Sequence, residues 1–109
     1  MQEHYKYNLE YTQNAYQIVE EAYPEHTEVA YNSVISYLKR YDKRRLRIFL
    51  GEVGDPKGEA CHLYQALYWI AALHFQADNG NPNATPQNID IYSRGFLQLP
   101  FAAIQGGKP

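Results

Sequence analysis

Hydrophobic and polar residues alternate along this chain with the period of an α-helix, and they predict three main helices. The first spans about residues 4 to 23, where Tyr16 and Tyr23 fall on one helical line. Pro24 cannot continue a helix and is expected to end it. The alternation of apolar and polar residues from 5 to 11 would also suit a β-strand, and the pattern leaves that alternative open.

A single amphipathic helix is predicted next, over about 28 to 50, with Thr27 as its N-cap and Gly51 as its end. The alternative is two shorter helices broken at Asp42. We favour the unbroken helix because a helix starting at Asp42 would carry three cations in its first turn, where the helix dipole disfavours positive charge. Arg45 lies on the apolar side and is expected to pair with Asp42, three residues earlier.

The third helix is predicted over 56 to 78, with Asp55 as its N-cap, Pro56 as its first residue and Gly80 as its stop signal. Between 59 and 75 only four residues are not apolar: Glu59, His62, Gln65 and His74. A helix that is apolar on almost every side must be covered on almost every side.

The tail of the chain predicts one more short helix and an arm. Thr85 and Pro86 are expected to start a fourth helical element that ends near Arg94. Residues 96 to 109 are expected to form an extended apolar arm, because Pro100 interrupts any regular structure there. The arm should dock on its own bundle or on a neighbouring subunit, since it would otherwise expose a large apolar surface.

These elements together predict an all-α fold, a small helical bundle in one domain over residues 1 to 95. Two amphipathic helices cover about two sides of the helix at 56 to 78, so one side still needs a partner. The arm is one candidate and a second copy of the chain is the other, so we expect a homo-oligomer.

Charge is divided unevenly along the 109 residues, although the net charge is only −2. Six glutamates precede residue 39 against Lys6 alone, whereas residues 39 to 47 hold six of the ten lysines and arginines. Such a division speaks to association with partners rather than to the fold.

Localisation is expected to be cytoplasmic. Cys61 is the single cysteine, so no internal disulfide can form, and a reducing compartment fits best. The first residues lack the apolar core of a secretory signal, and no run of residues approaches the length of a membrane span.

The cations of the second helix are the main candidate site. Arginine grips phosphate or carboxylate with a planar fork and lysine adds a point charge, so one cationic helix face suits an anionic partner. The candidate residues are Lys39, Arg40, Lys43, Arg44 and Arg47, with Tyr37 beside them. A charged helix face is also commonly just solvated, and the plainer interpretation of Tyr37 is that it belongs to the core.

A second candidate contact lies on the least apolar side of the third helix, where His62, Gln65 and Trp69 point in similar directions. Tryptophan is enriched at binding hot spots, and the polar neighbours could orient a partner's backbone. The plainer interpretation is that Trp69 covers the core while His62 makes an ordinary hydrogen bond.

The favoured function is a non-enzymatic binding protein, such as an inhibitor, adaptor or regulator, whose basic face meets an acidic protein surface or nucleic acid. Proteins of this size are common in phages and mobile elements. The alternative is an oligomeric nucleotide-binding protein with an arginine and tyrosine pocket between subunits. A metal-dependent enzyme using Glu59 and His62 is the weaker alternative, because the E-x-x-H spacing has no second copy. We expect no catalytic residue, metal or cofactor.

Overall fold

A computed structural model describes residues 13 to 55 and 57 to 99 of the chain. Among these residues there are five helices and no strands, so the predicted all-α bundle is confirmed. The helices are α1 over 13–22, α2 over Thr27–Tyr41, α3 over Lys43–Phe49, α4 over Glu59–Asp78 and α5 over Pro86–Phe96. The alternation at 5 to 11 lies outside the described residues.

The predicted single helix over 28 to 50 is wrong, because the chain breaks at Asp42 into α2 and α3. Asp42 has non-helical backbone angles, with φ −155° and ψ 82°. Its Oδ1 accepts a hydrogen bond from the backbone N of Arg45 at 3.1 Å, so Asp42 is the N-cap of α3. The cap and the ion pair between Arg45 and Asp42 outweigh the dipole penalty that favoured an unbroken helix.

The start of α2 also differs from the predicted one. Thr27 is the first helical residue rather than the N-cap, and His26 precedes it without a side-chain cap. The Thr27 hydroxyl instead donates to the carbonyl oxygen of Tyr23 at 2.6 Å. This hydrogen bond connects the start of α2 to the end of α1. A second contact joins the start of α2 to the end of α4, where His26 Nε2 lies 2.6 Å from Asp78 Oδ2.

Of the two predicted N-caps of the later helices, Thr85 is confirmed at α5, whereas the N-cap of α4 is Gly58 and not Asp55. Asp55 accepts hydrogen bonds from the backbone N of Glu59 at 2.7 Å and of Ala60 at 2.6 Å, and is itself buried. The helix begins at Glu59 rather than at 56, because Gly58 just before it has a left-handed φ of 70°. Thr85 caps α5 by accepting from the backbone N of Asn88 at 3.1 Å.

The core lies around α4, which packs against α2, α3 and α5. The side chains that α4 buries are Ala60, Leu63, Tyr64, Ala66, Leu67, Ile70 and Ala71. An aromatic cluster closes one end, where the Phe49 ring stacks on the Tyr64 ring at 4.6 Å and meets the Tyr31 ring at 5.2 Å. The tyrosines thus supply apolar bulk at the edge of the core.

At the end of the described chain α5 continues past the predicted limit at Arg94. Phe96 is its last residue, so a position predicted to open the arm belongs to the helix. Leu97 and Leu99 follow and are both buried in the core cluster. The rest of the predicted arm, residues 100 to 109, lies outside the described residues.

Candidate functional site

The five cations of the candidate site gather where α2 ends and α3 begins. We call them the basic surface: Lys39, Arg40, Lys43, Arg44 and Arg47. The first two occupy the last turn of α2, and the other three belong to α3. All five side chains are exposed, so the surface is open to a partner.

The joint that carries the basic surface is held by Arg45, which points away from it. Arg45 Nε donates to Asp42 Oδ2 at 2.7 Å, and Arg45 Nη1 donates to the carbonyl oxygen of Leu97 at 2.7 Å. The expected pairing of Arg45 with Asp42 is therefore confirmed. Burial alone would raise the pKa of Asp42, but the hydrogen bonds and charge of Arg45 lower it below its ordinary value.

Two members of the basic surface face carboxylates. Arg44 donates from both terminal nitrogens to Glu59, at 2.9 Å and 2.7 Å, and this bidentate pair lowers the pKa of Glu59. Arg47 Nε lies a longer 3.9 Å from Glu52 Oε1. These acids reduce the net charge that a partner would meet at the α3 end of the surface.

The other three members are not neutralised in this way. Within residues 13 to 55 and 57 to 99, no carboxylate forms an ion pair with Lys39, Arg40 or Lys43. The Arg40 guanidinium lies over the Tyr41 ring, 5.3 Å from its centroid. The unneutralised charge of the basic surface therefore concentrates at the joint itself.

Tyr37, predicted to flank the cations, is directed toward α5. Its hydroxyl donates a short hydrogen bond to Asp90 Oδ1, and the Arg94 guanidinium lies 5.7 Å from its ring centroid. Burial, and then the bond to Asp90, raises the pKa of Tyr37 to about 12. The structure thus places Tyr37 in a contact between helices and not beside Lys39.

The polar side of α4 has a mixed arrangement. Gln65 is exposed, and Trp69 keeps 37% of its surface exposed while its ring lies 5.1 Å from the Phe96 ring. His62 Nε2, by contrast, is buried and has no hydrogen-bond partner among the described residues. The three side chains share one side of α4, and Glu59, three residues before His62, pairs with Arg44 of the basic surface.

Glu59 and His62 do not form a metal site in the described part of the chain. Both oxygens of Glu59 accept from Arg44. No group of three or more histidine, cysteine, aspartate or glutamate side chains there is arranged to hold an ion. None of the described helices has the length and apolar character to cross a membrane.

Two concave sites could not be predicted from the sequence, because each combines residues from helices that are distant along the chain. One is a pocket of about 360 Å³ between α2, α4 and α5, lined in part by Ser33, His74 and Asp90. Ser93 also lines this pocket, and its hydroxyl oxygen is buried without a hydrogen-bond partner among the described residues. The other is a groove of about 370 Å³ between α1 and α4.

Comparison with known proteins gives no relative: no family model matches the chain, and no curated protein or solved structure is significantly similar. The function is therefore inferred from the site geometry alone.

Proposed function

We propose that this protein is a non-enzymatic binding module that presents the basic surface to an acidic protein surface. The observation that carries the proposal is the group of three exposed cations at the α2–α3 joint, Lys39, Arg40 and Lys43, which have no carboxylate partner among the described residues. Exposed ion pairs add little to stability. The fold therefore gains no stability from ion pairs at these three cations, and their charge is available to bind a partner's anionic groups.

The position of Lys43 adds support. It is the first residue of α3, where the helix dipole disfavours positive charge and where Asp or Glu would be the stabilising choice. A residue that opposes the local preference, without a compensating contact in the described structure, is a candidate for a functional role.

The carboxylates around the basic surface favour a protein partner over nucleic acid. Glu52 and Glu59 stand beside Arg47 and Arg44, and the whole chain has a net charge of −2. Binding to a phosphate backbone depends on a continuous excess of positive charge, which these acids interrupt. A folded partner can instead place its own charges to avoid them.

A charge-matched pair of variants tests the proposal. Lys39→Gln with Lys43→Gln removes two positive charges from the joint, and Gln13→Glu with Gln87→Glu gives the same change in net charge at exposed positions elsewhere. The probes are a labelled polyglutamate peptide and a labelled single-stranded oligonucleotide, followed by fluorescence anisotropy at low and high salt.

We expect polyglutamate to bind the unaltered protein in a salt-sensitive way. The Lys39 and Lys43 variant should weaken this binding by about tenfold, because rim charges steer and hold the complex, whereas the control variant should lose much less. Equal losses in both variants would show that only net charge matters and would refute a defined site. Tighter binding of the oligonucleotide would point to nucleic acid, and a thermal shift with ATP alone would support the nucleotide-binding alternative.

A further inference from the structure

The pocket of about 360 Å³ between α2, α4 and α5 combines side chains from three helices that pack around α4. We call it the three-helix pocket. Its polar lining residues are Ser33 and Tyr37 from α2, His74 from α4, and Asp90 and Ser93 from α5. None of its lining residues belongs to the basic surface, so a ligand bound here would use side chains that take no part in the proposed function.

The most buried polar side chain of the three-helix pocket is that of Ser93, which is 1% exposed. Its hydroxyl oxygen has no hydrogen-bond partner among the described residues. In most structures a buried hydroxyl is hydrogen-bonded, and a serine inside a helix commonly donates to the backbone carbonyl four residues earlier. Ser93 makes no such bond, so its hydrogen-bonding capacity is available to a molecule that enters the pocket.

The charged residue that lines the pocket, Asp90, is already paired. The Tyr37 hydroxyl donates to Asp90 Oδ1, and Asp90 Oδ2 lies 3.4 Å from Arg94 Nη2. Burial, followed by the hydrogen bond to Asp90, raises the pKa of Tyr37 to about 12, so this hydroxyl is uncharged at neutral pH. Burial, followed by the charge of His26, lowers the pKa of His74 and favours its neutral imidazole. A charged ligand would therefore lose its hydration here without gaining an unpaired counter-charge.

The other lining side chains are apolar, and they are those of Ala77, Ala84, Pro86 and Ile89. Small-molecule sites typically combine apolar walls with a few polar groups that fix orientation, and this volume lies near the lower end of their range. The Ser93 hydroxyl and the neutral His74 imidazole can each donate and accept a hydrogen bond. A flat ring with polar atoms at its edge matches this lining. A sugar would place hydroxyls against the apolar walls, where they have no partners.

We propose that the three-helix pocket binds a small uncharged heteroaromatic molecule, which forms a hydrogen bond with the Ser93 hydroxyl and packs against Ala77 and Ile89. Asp90 keeps 40% of its side chain exposed and marks the open rim of the pocket, whereas Ser93 marks its buried end. The ligand would therefore enter beside Asp90 and reach Ser93 last. For a ligand of about nine non-hydrogen atoms, ordinary ligand efficiencies give a dissociation constant of about 1 mM.

Four probes of equal size test the chemical class. Benzimidazole and indazole are uncharged near pH 7.5, and each has an N–H donor and a ring nitrogen acceptor. Benzoate and benzamidine are the anionic and cationic comparisons. Each probe is titrated to about 5 mM into ¹⁵N-labelled full-length protein, and the backbone amide signals are followed in ¹H–¹⁵N correlation spectra.

We expect saturable shifts at the lining residues with at least one uncharged probe, and binding of both charged probes that is weaker by about fivefold or more. Absence of saturable shifts with both uncharged probes would overturn the proposal. Equal or tighter binding of benzoate or benzamidine would overturn it as well, because the pocket would then select a charged ligand.

Ser93→Ala removes the hydroxyl, and Ser36→Ala is the matched control at an exposed position of α2 that does not line the pocket. We expect Ser93→Ala to weaken binding of the uncharged probe by about fivefold, as the loss of one hydrogen bond predicts. Its urea midpoint of unfolding should not fall, because the hydroxyl has no partner in the described fold. Ser36→Ala should leave both quantities unchanged. Unweakened binding in Ser93→Ala, or a lowered urea midpoint, would contradict the role assigned to this hydroxyl and overturn the proposal.

A second pair of variants checks the location of the bound probe. Ala77→Leu places a larger side chain in the three-helix pocket and should abolish saturable binding, whereas Ala22→Leu, at an exposed position of α1, should bind as the unaltered protein does. Unchanged binding in a folded Ala77→Leu variant would place the probe elsewhere and overturn the proposal. Ser93→Ala keeps the test decisive if Ala77→Leu does not fold.

Discussion

Replacing Asp42 by alanine should destabilise the fold through two separate losses. Its Oδ1 caps α3 by accepting from the backbone N of Arg45, and its Oδ2 accepts from Arg45 Nε at 2.7 Å. The Arg45 side chain is only 12% exposed, so it would be left with one hydrogen bond from its guanidinium, to the carbonyl oxygen of Leu97.

The expected size follows from these contacts. Loss of an N-cap costs about 1 kcal/mol. Loss of a hydrogen bond to a partly buried charged group costs about 1.5 to 3 kcal/mol, and the remaining bond to Leu97 favours the lower part of that range. We therefore expect the free energy of unfolding to fall by about 2 to 3 kcal/mol, out of the roughly 5 to 15 kcal/mol typical of a single domain.

Urea unfolding followed by far-ultraviolet circular dichroism and by Trp69 fluorescence measures this change. With a slope of about 1.5 kcal/mol per molar urea, the midpoint should fall by about 1 to 2 M. Asp42→Asn is the matched control, because asparagine also caps helices but cannot form the ion pair, and it should lose about half as much. A loss below about 0.5 kcal/mol in Asp42→Ala would refute the role assigned to this joint.

The same pair of variants has a defined pH dependence. Because Arg45 lowers the pKa of Asp42 in the folded protein, the folded state binds this proton less readily than the unfolded state. The stability contributed by the Asp42 charge is therefore fully present above its ordinary pKa, about 3.9, and is lost as the pH falls through the lower folded value. The difference between the unaltered protein and Asp42→Asn should shrink below about pH 4.

Two further predictions concern the contacts between α2, α4 and α5. Burial, and next the charge of His26, lowers the pKa of His74, so the unfolded chain binds this proton more readily and stability should fall as the pH drops below about 6.5. In His74→Gln the urea midpoint of unfolding should therefore change less between pH 7 and pH 5 than in the unaltered protein. An equal change of the midpoint in both proteins would contradict this reasoning. Tyr37→Phe removes the hydroxyl that donates to Asp90 and should lower the free energy of unfolding in urea by about 1 to 2 kcal/mol. Tyr92→Phe is the control, because this side chain is 53% exposed, and it should lower the free energy of unfolding by almost nothing. Equal losses in the two variants would argue against the hydrogen bond from Tyr37 to Asp90.

The helices with strong end signals were predictable from sequence. Thr85 is the N-cap of α5 as predicted, and Asp55 accepts hydrogen bonds from the first backbone N–H groups of α4, although Gly58 is the N-cap there. The mostly apolar stretch between 59 and 75 supplies the buried side chains of α4. In these helices the capping residues and the pattern of buried positions indicate the same structure. Sequence patterns predict structure reliably when local and tertiary preferences agree in this way. Boundaries shifted by a few residues at Gly58 and Phe96, where backbone angles and packing decide the end.

The break at Asp42 was not predicted because two local rules conflict there. Aspartate is a preferred N-cap, which favours a new helix, but Lys43, Arg44 and Arg45 then fill its first turn against the dipole. The hydrogen bond from Arg45 to the carbonyl oxygen of Leu97 helps to settle the conflict, and that partner lies 52 residues away in sequence. Helical periodicity within a short window carries no information about such a contact.

The break also changes what the candidate site is. In one continuous helix the five cations would form a stripe, with Lys39 and Arg47 about 12 Å apart along its axis. With Asp42 between two helices, Lys39 and Arg40 lie at a helix C-terminus that favours positive charge, while Lys43 and Arg44 lie at an N-terminus that does not. Glu59 offsets this at Arg44, and no carboxylate of the described residues does so at Lys43. A partner's carboxylate at the joint would therefore gain most at Lys43, which makes this residue, rather than the paired Arg44, the expected centre of the contact.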